Sequence, residues 1–85
     1  MDDSETVRKI ARANDRKNEA IRLRAKAKDA GNTAAIEKAT AAEALAHEAI
    51  LAYGRDQAIE GDRLCEDSAQ AIERTVARLG SERLP

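Results

Sequence analysis

The side chains of this 85-residue chain best suited to chemistry are Glu43, His47, Asp62, Cys65 and Glu66. Glu43 and His47 stand four residues apart, hence on one face of a helix. If the segments on either side of Gly54 fold back on one another, that pair comes level with Asp62, Cys65 and Glu66. Carboxylate, imidazole and thiolate all ligate zinc. The tight spacing of a metal motif is missing, however, and a chain that is 36% charged brings such groups together by chance. The expectation is therefore no metal and no other cofactor. Instead, His47 meets Asp62 or Glu43 in a hydrogen-bonded seam that fixes helix register, as lone polar residues at seam positions do. Cys65 and His47 as nucleophile and base would need a pocket and an orienting third group. A core of closely packed alanines leaves little room for a small-molecule substrate, so the reading is of a protein that is not an enzyme.

Charge is the most uneven feature. Between Val7 and Lys28, Arg8, Lys9, Arg12, Arg16, Lys17, Arg22, Arg24, Lys26 and Lys28 oppose only Asp15 and Glu19, although the whole chain carries a net −1. A basic face of Arg8, Arg12, Arg16, Lys17, Arg22, Arg24 and Lys28 could lie along phosphates with release of counterions. It could equally dock against an acidic protein surface. This segment has no aromatic residue on which bases could stack, no recognised nucleic-acid signature is present, and the pI is only about 5.8. The first reading is that the basic segment pairs with acidic helices of its own fold or of a neighbouring copy. Nucleic-acid binding is the alternative.

These groups must be positioned by helices. Nineteen residues are alanine, the best intrinsic helix former, while Phe and Trp are absent and Tyr occurs once. The pattern predicts helices over about 5–30, 33–53 and 56–79, with a tail at 80–85. Asp2, Asp3, Ser4 and Glu5 supply caps and negative charge for the first. The six polar residues from Asn14 to Glu19 interrupt its apolar pattern, and the reading keeps it continuous. Gly31 suits the left-handed position after a helix, and Asn32 or Thr33 can cap the next. The following break can fall at Gly54 or Gly61. A break at Gly61 would carry the second helix over Gln57 and Glu60, where its apolar stripe has ended, so the prediction places it at Gly54, with Asp56 as cap.

The second helix shows Ile36, Ala39, Glu43, Ala46, Ile50 and Tyr53 at 3-4-3-4-3 spacing, with Ala35, Ala42 and Ala49 beside them. The third shows Ala58, Asp62, Cys65, Ala69, Ile72, Val76 and Leu79 at heptad spacing. The predicted seam is Ile36, Ala39, Ala46, Ile50, Tyr53, Cys65, Ala69, Ile72, Val76 and Leu79. Short loops between helices of this length imply an all-α, antiparallel three-helix bundle, a single domain over 1–85 with alanine-rich seams.

Only fourteen Ile, Leu and Val are available, each contributing roughly 1.5–3 kcal/mol when fully buried, which is thin for a lone small domain. Val7, Ile10, Ile21 and Leu23 form no clean stripe, and Leu45, Leu51, Ile59 and Leu64 lie off the main seams. Apolar residues on two faces of a small bundle mark a self-association or partner surface. The expected function is thus an assembly or adaptor protein that forms a homo-oligomer or docks on a larger protein partner. The single Cys65 fits a reducing compartment. The acidic start lacks the apolar stretch of a secretory signal, and the longest wholly apolar run, Ala49–Tyr53, is far too short to cross a membrane. The expected location is cytoplasmic, with no membrane partner.

Overall fold

The computed structural model describes residues 3–81. It is all-helical, a compact arrangement of three helices: α1 (Asp3–Asp29), α2 (Thr33–Gly54) and α3 (Ala58–Ser81). The three lie together in a rod of 52 × 17 × 15 Å. α1 runs unbroken through the polar stretch Asn14–Glu19. Asp2 and residues 82–85 lie outside the described residues.

Both turns close with the same backbone device. After α1, the Gly31 N–H donates to the Lys28 carbonyl and the Asn32 N–H to the Ala27 carbonyl, with Gly31 at φ 67°. This paired pattern satisfies carbonyls that a helix end otherwise leaves open. After α2, Asp56 donates to Tyr53 and Gln57 to Ala52 in the same way. Here Asp56 occupies the left-handed position at φ 63°. The assignment of Asp56 as the cap of the third helix is therefore corrected. It closes α2, and α3 begins at Ala58, with the Gln57 carbonyl accepting from the Gly61 N–H. The helix also runs on to Ser81, so 80–81 belong to α3 rather than to a tail.

Asn32 joins the first turn to the C-terminal part of α3. Its Oδ1 accepts from the Ala35 N–H at 3.0 Å as an N-cap, and its Nδ2 donates to the Arg78 carbonyl at 3.3 Å.

The core is built of alanine. Ala13, Ala20 and Ala27 on α1 and Ala35, Ala39, Ala42, Ala46, Ala49 and Ala52 on α2 are all fully inaccessible. On α2 the buried row is Ala35, Ala39, Ala42, Ala46, Ala49 and Tyr53, at 4-3-4-3-4 spacing, while Ile36 and Ile50 are only half-buried. The expected seam is thus rotated to its smaller neighbours. On α3 the seam rotates in the same sense. Gly61, Ser68 and Thr75, seven residues apart, are buried with Ala71 and Ile72. Of the predicted α3 positions, Ile72 is buried, Cys65, Ala69 and Leu79 are half-buried, Ala58 and Asp62 are exposed, and Val76 is 51% exposed.

Two hydroxyls are accommodated in this row because each finds a carbonyl. Ser68 Oγ donates to the Ala42 carbonyl at 2.9 Å, crossing between helices, and Thr75 Oγ1 donates to the Ala71 carbonyl at 2.8 Å. Gly61 is small for a different reason. A Cβ built there would fall 2.5–2.9 Å from ring atoms of Tyr53.

Gly61→Ala is expected to lower stability by about 1–3 kcal/mol, since overpacking outweighs the roughly 1 kcal/mol of helix propensity gained. Gly80→Ala, with open space at its Cβ, is expected to raise stability by up to about 1 kcal/mol. Thermal melts followed by circular dichroism compare the two, and equal shifts of the same sign would refute the Tyr53 contact as the cause.

Candidate functional site

The most organised polar group lies where α2 and α3 meet α1, near the second turn. Tyr53 ends the buried row of α2, and its hydroxyl donates to Asp62 Oδ1 at 2.7 Å. The other carboxylate oxygen, Oδ2, accepts from Lys9 Nζ of α1 at 3.2 Å. The Lys9 ammonium also stands 5.9 Å from the centre of the Tyr53 ring. One residue from each helix therefore closes a clasp. The tyrosine supplies an apolar ring to the core and a hydroxyl that must find a partner at the edge.

Electrostatics follow from this geometry. Burial, then the hydrogen bond to Asp62, pushes the Tyr53 phenol well above its ordinary range. The Tyr53 hydroxyl, followed by Lys9, holds the Asp62 carboxyl below its ordinary range despite some desolvation. Arg12, on the same side of α1, further favours both anions.

Beside the clasp a groove of about 340 Å³ runs between α1 and α3, lined by Arg12, Arg16, Cys65, Glu66 and Ala69 as well as the clasp residues. The Arg16 Nε is buried there without a hydrogen-bond partner, while its Nη1 lies 3.9 Å from Glu19. A larger, shallower hollow of about 880 Å³ sits at the α2–α3 turn, where Ile59 is 88% exposed.

The structure divides the cluster expected from the sequence. Asp62, Cys65 and Glu66 line the α1–α3 groove. Glu43 and His47 lie on the opposite flank of α2, against α1, where Arg24 pairs with Glu43 and Lys17 Nζ lies 3.3 Å from His47 Nδ1. The expected contact of His47 with Asp62 or Glu43 is thus replaced by one with Lys17. The rotation of the α2 seam is the cause. With Ala42 and Ala46 as the buried row, Glu43 and His47 turn aside from α3. Cys65 and His47 are likewise not brought together. Among the described residues, no group of three or more His, Cys, Asp and Glu is arranged to hold a metal ion.

The basic face is divided too. Arg8, Arg12, Arg22 and Lys28 are exposed, whereas Arg16, Lys17 and Arg24 are half-buried and engaged with Glu19, His47 and Glu43. Lys9, absent from the expected basic face, proves to be the residue that ties α1 to α3. Its signal was the lone tyrosine, whose buried hydroxyl requires a partner, and a carboxylate nine residues on across a turn.

The arrangement is that of a small three-helix bundle with an alanine core and an inter-helix polar clasp. Comparison with family models, with curated proteins and with solved structures returned no match.

Tyr53→Phe is expected to cost about 0.5–1.5 kcal/mol, the net worth of one hydrogen bond. The raised phenol means this contribution is intact below about pH 10, the unfolded value, and is lost as pH rises beyond it. The depressed Asp62 means its share is present above about pH 4 and is lost as pH falls through the lower folded value. Urea midpoints of wild type and Tyr53→Phe should therefore differ most between those limits and converge outside them. With one Tyr and no Trp, phenolate absorbance reads this group alone. Ionisation near pH 10 in the folded protein would refute the clasp.

Proposed function

We propose that the chain is a non-enzymatic assembly or adaptor protein that acts through protein–protein contacts, by homo-oligomerisation or by docking on a larger partner. The observation that carries this reading is an inversion of the usual core. Among the described residues, Ile72 is the one Ile, Leu or Val that is buried, while Val7, Ile21, Leu51, Ile59 and Val76 are exposed. Single exposed aliphatics are ordinary. Five of them around an alanine interior are better explained as surface held for another helix or another chain.

The proposed topology is up-down-up, with antiparallel neighbours. It is supported by the order of contacts: Lys17 with His47 and Arg24 with Glu43 between α1 and α2, then Tyr53 with Asp62, Ala42 with Ser68 and Asn32 with Arg78 between α2 and α3. The absence among described helices of any long and apolar enough to cross a membrane and the free Cys65 fit a cytoplasmic setting.

Sedimentation equilibrium over a wide concentration range, at low and high salt, tests the reading. Association through apolar faces should persist at high salt, where exposed charges are screened. A monomer that binds duplex DNA or RNA with an affinity falling steeply with salt would overturn it and turn attention to Arg8, Arg12, Arg22 and Lys28.

A further inference from the structure

One face of α1 is left open to solvent, with Val7 64% and Ile21 37% exposed. Val7, Ala11, Asn14, Asn18, Ile21 and Ala25 follow 4-3-4-3-4 spacing, the pattern of a coiled-coil seam, and all are exposed. No charge interrupts this stripe, although its helix carries nine basic residues. One flank of the stripe is already taken by α2: Ile10 packs against the Ala49–Tyr53 cluster, Lys17 meets His47 and Arg24 meets Glu43. On the other flank, Arg8, Asp15, Arg22 and Asp29 alternate in sign at seven-residue intervals and are exposed. Among the described residues, Asp15, Arg22 and Asp29 have no ion-pair partner.

We propose that this face binds α1 of a second copy of the chain, the two helices running in opposite directions about a two-fold axis. The proposal rests on the assembly reading and names its partner and surface. The stripe is complementary to itself in one register. With Asn14 opposite Asn18 of the second copy, Val7 faces Ala25 and Ala11 faces Ile21, so each large side chain meets a small one. The paired amides each donate and accept, and an Asn pair inside an apolar seam fixes register. Sliding by one heptad either way would set an Asn against Val7 or Ile21. A parallel pairing would set Val7 on Val7 and Ala11 on Ala11, wide at one layer and loose at the next.

Charge selects the same arrangement. Helical side chains lean towards their own N-terminus. In the opposed pairing this lean brings Arg8 towards Asp29 of the second copy and Asp15 towards Arg22 of the second copy. The alternating row is thus self-complementary, as an interface on a two-fold axis must be. The contact runs over about 28 Å of helix, at 1.5 Å per residue.

Sedimentation equilibrium of the full chain and four variants tests this, with circular dichroism to confirm that each variant stays helical. The wild type is expected at twice the one-chain mass of 9.2 kDa. Ile21→Asp and Arg22→Asp are expected to raise the dissociation constant by about tenfold or more, equivalent to about 1.4 kcal/mol. Asp15→Arg alone should do the same, and combining it with Arg22→Asp should restore association, because the swap returns opposite charges to each pair. A dimer indifferent to Ile21→Asp and to the single charge changes overturns this surface while leaving assembly standing. A monomeric wild type at every concentration overturns the second copy as partner and leaves docking on another protein. If Ile21→Asp fails to fold, the charge swap decides, since failure of the double variant to recover would overturn the pairing.

Discussion

Alanine against alanine along α2 sets the distance between helices, and most other features follow from that distance. Small side chains at facing positions let helices pack closely. In such close packing the facing rows must be small throughout, which is why Ala13, Ala20 and Ala27 oppose α2 from one side and Gly61, Ser68 and Thr75 are buried on α3. Dispersion between closely packed backbones and short side chains then replaces the large buried aliphatics of an ordinary core. Any residue on these rows that gained a methyl group would have to push a helix aside.

Close approach has two costs, and each has a local answer. Bringing backbones together leaves little room for an aromatic, so the one tyrosine sits at the end of the row, opposite a glycine and against the turn. Smooth rows of alanine also specify register poorly, since every heptad resembles the next. Directional contacts near the two ends supply what the alanines lack. Tyr53, Asp62 and Lys9 bind three helices at one end, and Asn32 with the Arg78 carbonyl binds two at the other. The Ser68 hydroxyl on the Ala42 carbonyl adds a directional contact between them.

Helix content and the placement of both turns were legible in the sequence, because alanine content and Gly31 act locally. The identity of the buried rows was only partly so. Hydrophobicity ranks Ile36, Ile50 and Val76 above Ala35, Ala49 and Thr75, and a reading by hydrophobicity puts the larger residues inside. Here packing distance overrides that ranking, and the seam shifts by one residue on both α2 and α3. The candidate cluster failed for the same reason, since a one-residue rotation carries Glu43 and His47 to the flank facing α1. Asp56 was misassigned because Asp serves equally as a helix cap and as an occasional left-handed residue. Only the backbone of the turn distinguishes the two roles.

The excess charge of α1 takes on a different meaning once its faces are separated. Lys9, Lys17 and Arg24 reach α2 or α3 and hold the bundle together. Arg8 and Arg22 stand in a row with Asp15 and Asp29 that is balanced in sign. A surface built to lie along phosphates gains from every added cation and loses from every interposed carboxylate, so acids at regular intervals oppose that use. The same acids favour contact with a helix of like sequence, for which each charge has its opposite within one heptad. The pattern of carboxylates on α1, more than its count of arginines and lysines, is therefore the feature that supports the proposed protein partner over nucleic acid.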